Sequence, residues 1–246
     1  MKSATTTSGI LAALLVVLTT MPAAAQDKKN GAQSPPSKEP SATASVPVYK
    51  PPLRGAPGGR VGGGTRGSGN ARDVFILSAL APDHMGLTAA EQPSLYWFIS
   101  SPTSLPVEMV LEDPRRIQPV IEARLTSPVQ AGVHKISLSE HGVQLTPGVA
   151  YRWSVTVIPD ANRRSRDILA SATVERIEPP EEVRTKLAQA RKEELPFFYA
   201  EAGLWYDALA TISDLIDRAP QDMQLRQQRA ALLRQVGLPD IGEGKP

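Results

Sequence analysis

The residues best suited to binding chemistry are three arginines that lie close together in the sequence. Arg163, Arg164 and Arg166 lie between two expected strands and are followed by Asp167. Guanidinium groups bind phosphate or sulfate through paired hydrogen bonds, so this loop could hold an anionic group of a lipid or polysaccharide. The alternative, which we favour, is a solvated turn in which Arg164 pairs with Asp167.

Two large aromatic residues, Trp205 and Tyr206, stand at an expected turn between helices. An aromatic pair at such a turn can form an exposed contact for a partner protein. It can equally close a hydrophobic joint between the helices and the rest of the fold, and this second interpretation is favoured. Both residues therefore remain candidates for an interaction site.

The residue types that build metal and catalytic sites are scattered. His84, His134 and His141 have neither helical i,i+4 nor alternating strand spacing. Adjacent carboxylates such as Glu193 and Glu194 point apart on a helix or strand. The chain has no cysteine, which excludes thiolate ligands and thiol nucleophiles. We predict no enzyme, no cofactor and no metal site.

The segment 26–72 is rich in Pro, Gly, Ser and Ala, and it contains eight Lys or Arg against two acids. Such a composition predicts a disordered basic linker. Gly62, Gly64 and Gly67 satisfy the G-x-G-x-x-G pattern, but no expected strand precedes them and no expected helix follows. The pattern therefore does not indicate nucleotide binding.

The first residues have the organisation of a secretory signal peptide. Lys2 precedes an apolar run at 10–18, which is too short to span a bilayer, and Pro22 then breaks the helix. Small residues before Gln26 predict cleavage between Ala25 and Gln26, and hence a periplasmic or secreted protein without a stable membrane span. An uncleaved anchor or a buried core helix is the weaker alternative.

Residues 73–178 contain short apolar runs separated by turn residues, and prolines fall between the runs. This pattern is typical of an antiparallel β-sandwich. The predicted strands are 74–79, 94–100, 107–112, 120–126, 132–137, 150–158 and 168–177.

The segment Leu145-Thr-Pro-Gly-Val-Ala-Tyr151 resembles the corner that enters the penultimate strand of fibronectin type III and immunoglobulin-like sandwiches, where a tyrosine hydroxyl bonds to upstream backbone. Trp97 would fill the large aromatic core position of such folds. We therefore predict an immunoglobulin/fibronectin-III-like sandwich.

Helical periodicity follows over 179–238, with helices expected at 181–195, 197–204, 207–219 and 222–236 and a tail at 239–246. Small residues in the middle of this region resemble one tetratricopeptide-like hairpin. The fold class is thus α+β, mainly β. A lone hairpin must pack on the sandwich, on itself or on a partner, and docking to a partner is slightly favoured.

Several stretches together resemble one bacterial family of exported proteins, called domain of unknown function 928. They include Pro93-Ser-Leu-Tyr-Trp-Phe98, Val107-Glu-Met-Val-Leu-Glu-Asp113, Tyr151-Arg-Trp153 and Gly203-Leu-Trp-Tyr-Asp-Ala-Leu209. The resemblance implies no particular activity. Members often carry two cysteines where this chain has residues around Asn70 and Pro159, so a bridge between those places is absent here.

These observations favour a non-catalytic interaction or scaffold module whose partner is another exported or outer-membrane protein, with no nucleic acid involved. The first alternative is a domain that binds envelope polysaccharide or lipid head groups. The second is a hydrolase whose site only folding assembles.

Overall fold

Strands precede helices along the chain. The computed structural model describes residues 45–52, 60–66 and 74–238, so the predicted signal peptide and tail lie outside the described residues. Within those ranges the strands are β1 (Gly63–Arg66), β2 (Val74–Ala79), β3 (Gly86–Thr88), β4 (Ser94–Ile99), β5 (Val107–Glu112), β6 (Ile121–Leu125), β7 (Gly132–Ser137), β8 (Ala150–Val157) and β9 (Ile168–Arg176). The helices are α1 (Glu181–Gln189), α2 (Leu195–Glu201), α3 (Trp205–Arg218) and α4 (Met223–Arg234).

The described strands form two sheets, with the orders β1-β2-β4-β7 and β3-β9-β8-β5-β6. Neighbouring strands are antiparallel apart from β3 and β9, which run parallel. The prediction of a mainly β fold followed by helices is confirmed, and every predicted strand is present. The prediction missed β1 and β3, because strands of four and three residues are too short to show a period of two.

Alternation of side chains along β8 shows how the sheets build the core. Tyr151, Trp153, Val155 and Val157 are buried, whereas Arg152 between the first two is exposed. Buried side chains from both sheets and from the helices form one hydrophobic cluster. The core therefore continues from the sheets into the helical region.

The predicted tyrosine hydrogen bond is confirmed. The backbone N–H of Thr146 donates to the Tyr151 hydroxyl over 3.1 Å, and Gly148 between them has a φ of +73°, in the left-handed region. The bond fixes the path by which the chain enters β8.

The apolar face of α3 is buried, and hydrogen bonds tie it to the sheets. The Trp205 indole N–H donates to the Leu80 carbonyl oxygen over 2.9 Å. The Tyr206 hydroxyl accepts from the Trp153 indole N–H and donates to the Thr173 carbonyl oxygen, each over 2.9 Å. The helical unit thus packs on the sheets, so the slightly favoured prediction that this face docks a partner is wrong.

Two parts of the predicted linker are ordered. Residues 45–52 lie against the helices, where Lys50 N–H donates to the Ala200 carbonyl oxygen and Tyr49 N–H donates to Gln235 Oε1. Residues 63–66 form β1. For these segments the linker prediction is wrong, because their backbone groups find partners far along the chain that composition does not reveal.

Candidate functional site

The arginine loop is a solvated turn. Arg163 and Arg164 are exposed, and Arg166 completes the turn on the surface. Arg164 donates to Asp167 over 2.7 Å and to Glu108 over 3.1 Å, which confirms the predicted Arg164–Asp167 pair. Since its guanidinium is already engaged, phosphate or sulfate binding at this loop stays a prediction without added support.

Trp205 and Tyr206 do not form a surface. Their side chains are 0% and 1% exposed. The Trp205 indole N–H and the Tyr206 hydroxyl are both hydrogen-bonded within the fold, so these residues cannot contact a partner from solution. Their placement as candidate interaction residues is wrong, and the alternative of an internal joint is correct.

The histidines lie apart from one another. His84 contacts Tyr49 through Nε2 over 3.0 Å, and the ring of His134 stacks on that of Trp97 with centroids 4.5 Å apart. No cluster of metal-ligating side chains occurs within residues 45–52, 60–66 and 74–238.

A different site lies where α3 and α4 cross the outer face of the β4–β7 pair. It is a cleft of about 300 Å³, which we call the α3–α4 cleft. Tyr96 and Lys135 lie opposite each other on these two strands, so both side chains point to this face. Its lining comprises Tyr96 and Phe98 from β4, residues 132–135 from β7, Ser213, Ile216 and Asp217 from α3, and Arg226 and Arg229 from α4.

Polar groups without partners are concentrated in this cleft. Over the described residues, seven buried side-chain nitrogen or oxygen atoms have no hydrogen-bond partner, and four of them line the α3–α4 cleft. They are Tyr96 Oη, Ser213 Oγ, Arg226 Nε and Arg229 Nε. The two hydroxyls lie close enough for Ser213 to act on Tyr96 as a hydrogen-bond partner, so the two arginine Nε–H groups are the ones left without any partner among the described residues. The residues Tyr96 and Ser213 are only 3% and 2% exposed. A buried polar group without a partner costs about 1–3 kcal/mol, so such a concentration within one cleft indicates a binding site.

The unsatisfied atoms are mainly donors. The two arginine Nε–H groups can only donate, and the two hydroxyls can donate or accept. The side chain of Arg229 makes no hydrogen bond or ion pair with another described residue, whereas Arg226 donates from a terminal nitrogen to the Pro220 carbonyl oxygen over 2.6 Å. The cleft is therefore suited to a group rich in acceptors, such as a carboxylate, phosphate or sulfate.

Burial governs the electrostatics of the cleft. It raises the pKa of the Tyr96 phenol well above its ordinary value, with Asp214 and Asp217 adding to the effect and the Ser213 hydroxyl and the Arg229 charge opposing it. The phenol is therefore neutral and able to donate at physiological pH. Burial also lowers the pKa of Arg229, opposed by the nearby Asp217. An anionic ligand would stabilise the charged guanidinium that burial disfavours.

A second cavity of about 280 Å³ lies on the opposite side of β7, and we call it the edge cavity. Trp97, Leu125, Val129 and His134 belong to its lining. The indole N–H of Trp97 is buried and has no hydrogen-bond partner among the described residues. The two cavities flank one strand and share His134 and Lys135.

Sequence reasoning missed the α3–α4 cleft. Tyr96 stands within the apolar run Ser94-Leu-Tyr-Trp-Phe-Ile99, which is typical of a core strand. The one available signal was Arg226 with Arg229 at i,i+3, a spacing that places both on one face of a helix.

The fold and site together define a class: a mainly β, two-sheet protein whose helices pack on the sheets and enclose a donor-lined cleft. The chain belongs to the family described as Domain of Unknown Function (DUF928), whose model matches residues 61–245. The predicted family resemblance is thereby confirmed. No curated protein matches the chain. Among the described residues, none of the helices has both the length and the apolar character needed to cross a bilayer.

Proposed function

We propose that this protein is an exported, non-catalytic binding module that holds an acceptor-rich group of its partner in the α3–α4 cleft. The observation that carries the proposal is the pair of unpartnered Nε–H groups at Arg226 and Arg229, which line the same cleft as the neighbouring hydroxyls of Tyr96 and Ser213. The signal-peptide pattern of residues 1–25 supports export to the periplasm or beyond.

The arrangement of groups in the cleft favours binding over catalysis. The nearest carboxylates, Asp214 and Asp217, are exposed. Ser213 has no histidine base at hydrogen-bond distance, because His134 directs Nε2 to the Gln130 carbonyl oxygen over 2.7 Å. A nucleophile without a base is weak, whereas fixed donors suffice to bind an anion.

The scaffold of the module is proposed to be immunoglobulin-like. The strand order, the parallel β3–β9 pair and the bond from Thr146 to Tyr151 support this assignment. The α2–α3 pair is proposed to be tetratricopeptide-like, supported by Ala200 and Ala208, which are fully buried in that region.

The test titrates the full protein with sodium acetate, sodium phosphate and sodium sulfate, and follows the arginine Nε–H resonances by NMR at constant ionic strength. We expect saturable shifts of Arg226 and Arg229 with at least one of the three anions. Arg234 on the same helix is exposed and serves as the internal control. Equal, non-saturating shifts at all three arginines would show that the cleft binds no anion and would overturn the proposal.

A further inference from the structure

Among the described strands, β7 lies at a sheet edge with one side unpaired. It is the last strand of the order β1-β2-β4-β7, so only β4 pairs with it among the described strands. An edge strand offers backbone N–H and C=O groups to any extended chain that lies alongside.

The hydrogen bonds of β4 show which residues of β7 face the open side. The Tyr96 carbonyl oxygen accepts from Leu80 N–H over 2.8 Å, on the side away from β7. In an antiparallel pair the N–H and C=O of one residue point the same way, so Tyr96 and the opposite residue, Lys135, form a non-hydrogen-bonded pair. The backbone groups of Lys135 therefore face outward, and those of Val133 do so by the same alternation. No hydrogen bond to another described residue occupies them.

The two cavities lie where an added strand would place its side chains. Successive side chains of a strand point to opposite faces. Beside β7, one face opens on the α3–α4 cleft and the other on the edge cavity. In an added strand, the residue that enters the α3–α4 cleft and the residue that enters the edge cavity are therefore an odd number of positions apart.

The chemistry of the cavities specifies those side chains. Arg226 and Arg229 give the α3–α4 cleft two basic groups against the exposed Asp217, and their free Nε–H groups require acceptors. Lys135 also lines the cleft, with Nζ 4.0 Å from the Asp214 carboxylate. The lining of the edge cavity includes the apolar side chains of Trp97, Leu125 and Val129. The first cavity suits a carboxylate and the second an apolar side chain.

From this geometry we infer that the partner is an extended polypeptide segment that adds to β7, placing an acidic side chain in the α3–α4 cleft and an apolar side chain in the edge cavity. The inference rests on the proposed function and names the ligand class of the same cleft. A polysaccharide would use the donors of the cleft but not the outward backbone groups of Lys135 and Val133.

The experiment selects peptides from a library of random nonapeptides displayed on phage, using the full protein as bait, and measures the chosen peptides by calorimetry. We expect selected peptides to pair an acidic with an apolar residue at odd separation. Lys135→Pro removes the outward N–H and is tolerated on an edge strand, whereas Lys135→Ala removes the same charge and keeps the N–H. Lys135→Pro should bind about tenfold more weakly than Lys135→Ala, which corresponds to one lost hydrogen bond.

Peptides with alternate N-methylated amides give a second measurement that needs no variant of the protein. Methylation of the amides that face β7 should abolish binding, and methylation of the intervening amides should not. Tight binding that neither Lys135→Pro nor methylation weakens would overturn strand addition, as would failure to select any peptide. In either case the anion response of Arg226 and Arg229 would still decide the proposed function separately. Concentration-dependent dimerisation lost in Lys135→Pro would make a second copy of this chain the occupant of β7 and would also overturn the inference.

Discussion

The Tyr206 hydroxyl joins three elements and offers the sharpest test of how the helices are held. It lies on α3, accepts from the Trp153 indole on β8 and donates to the Thr173 carbonyl oxygen on β9. Tyr206 is 1% exposed and Trp153 is 0% exposed. Water therefore cannot reach the indole N–H if the hydroxyl is removed.

The substitution Tyr206→Phe keeps the ring and removes only this oxygen. The lost bond to Thr173 contributes about 1 kcal/mol, and the stranded indole N–H of Trp153 costs about 1–3 kcal/mol more. We expect the free energy of unfolding to fall by about 3 kcal/mol, measured by urea denaturation with an unchanged slope. Tyr199→Phe on α2 is the matched control, because that half-buried hydroxyl makes no hydrogen bond with another described residue.

A Tyr206→Phe midpoint equal to that of Tyr199→Phe would refute the reasoning. The joint between α3 and the sheets would then depend on apolar packing alone. A reduced slope, rather than a shifted midpoint, would show that the helices unfold separately from the sheets.

Two further predictions concern other buried polar groups. Burial raises the pKa of the Asp207 carboxyl from 3.8 to about 6, although Ala89 N–H donates to it over 2.9 Å. The folded protein therefore retains a proton that the unfolded chain releases, and the free energy of unfolding should fall as pH rises from about 4 to about 6. Asp207→Asn should flatten that part of the pH profile in thermal denaturation; an unaltered profile would place the titration elsewhere. Tyr151→Phe should lower the free energy of unfolding by about 1 kcal/mol, the ordinary contribution of one hydrogen bond, with no further cost because the exposed Thr146 can bond to water instead. A urea midpoint equal to that of the native protein would show that the Tyr151 hydroxyl contributes nothing.

The strands could be predicted because their information is local. In β8 the alternation of Tyr151, Arg152 and Trp153 already separates a buried from an exposed face. Proline and glycine between the runs then set the boundaries to within a residue or two. The order in which strands pair depends on contacts between distant parts of the chain and leaves no local pattern in the sequence. The position of β7 at a sheet edge therefore could not be predicted.

Helix ends were predicted less well than strands. Asp222 caps α4, accepting from Gln224 N–H over 2.8 Å, and the predicted helix 222–236 begins at this residue. Asp207 does not cap α3, which begins at Trp205 and brings that carboxylate under the loop at Ala89. An aspartate near a helix start can either cap that helix or bond to a distant loop. Only the packing of the folded chain decides which of the two forms.

The α3–α4 cleft lay beyond sequence reasoning for the same reason. Tyr96 and Arg229 are 133 positions apart, and each has an ordinary interpretation where it stands. Tyr96 fits a core strand and Arg229 a solvated helix face. Their shared lack of partners is a property of the folded chain and has no counterpart in a local pattern.

The segment 45–52 bears on the order in which the molecule is completed. Gln228 donates to the Ser45 carbonyl oxygen over 3.0 Å, and Gln235 donates to the Pro47 carbonyl oxygen over 2.8 Å. The first described residues are thus hydrogen-bonded to α4 and to the residue that follows it. A ribosome releases the first of these partners more than 180 residues before the second. These contacts can therefore form only after almost the whole chain has been synthesised. The helix that supplies Arg226 and Arg229 is held at both ends of the described chain, so the α3–α4 cleft is complete only when the segment 45–52 and α4 are both in place.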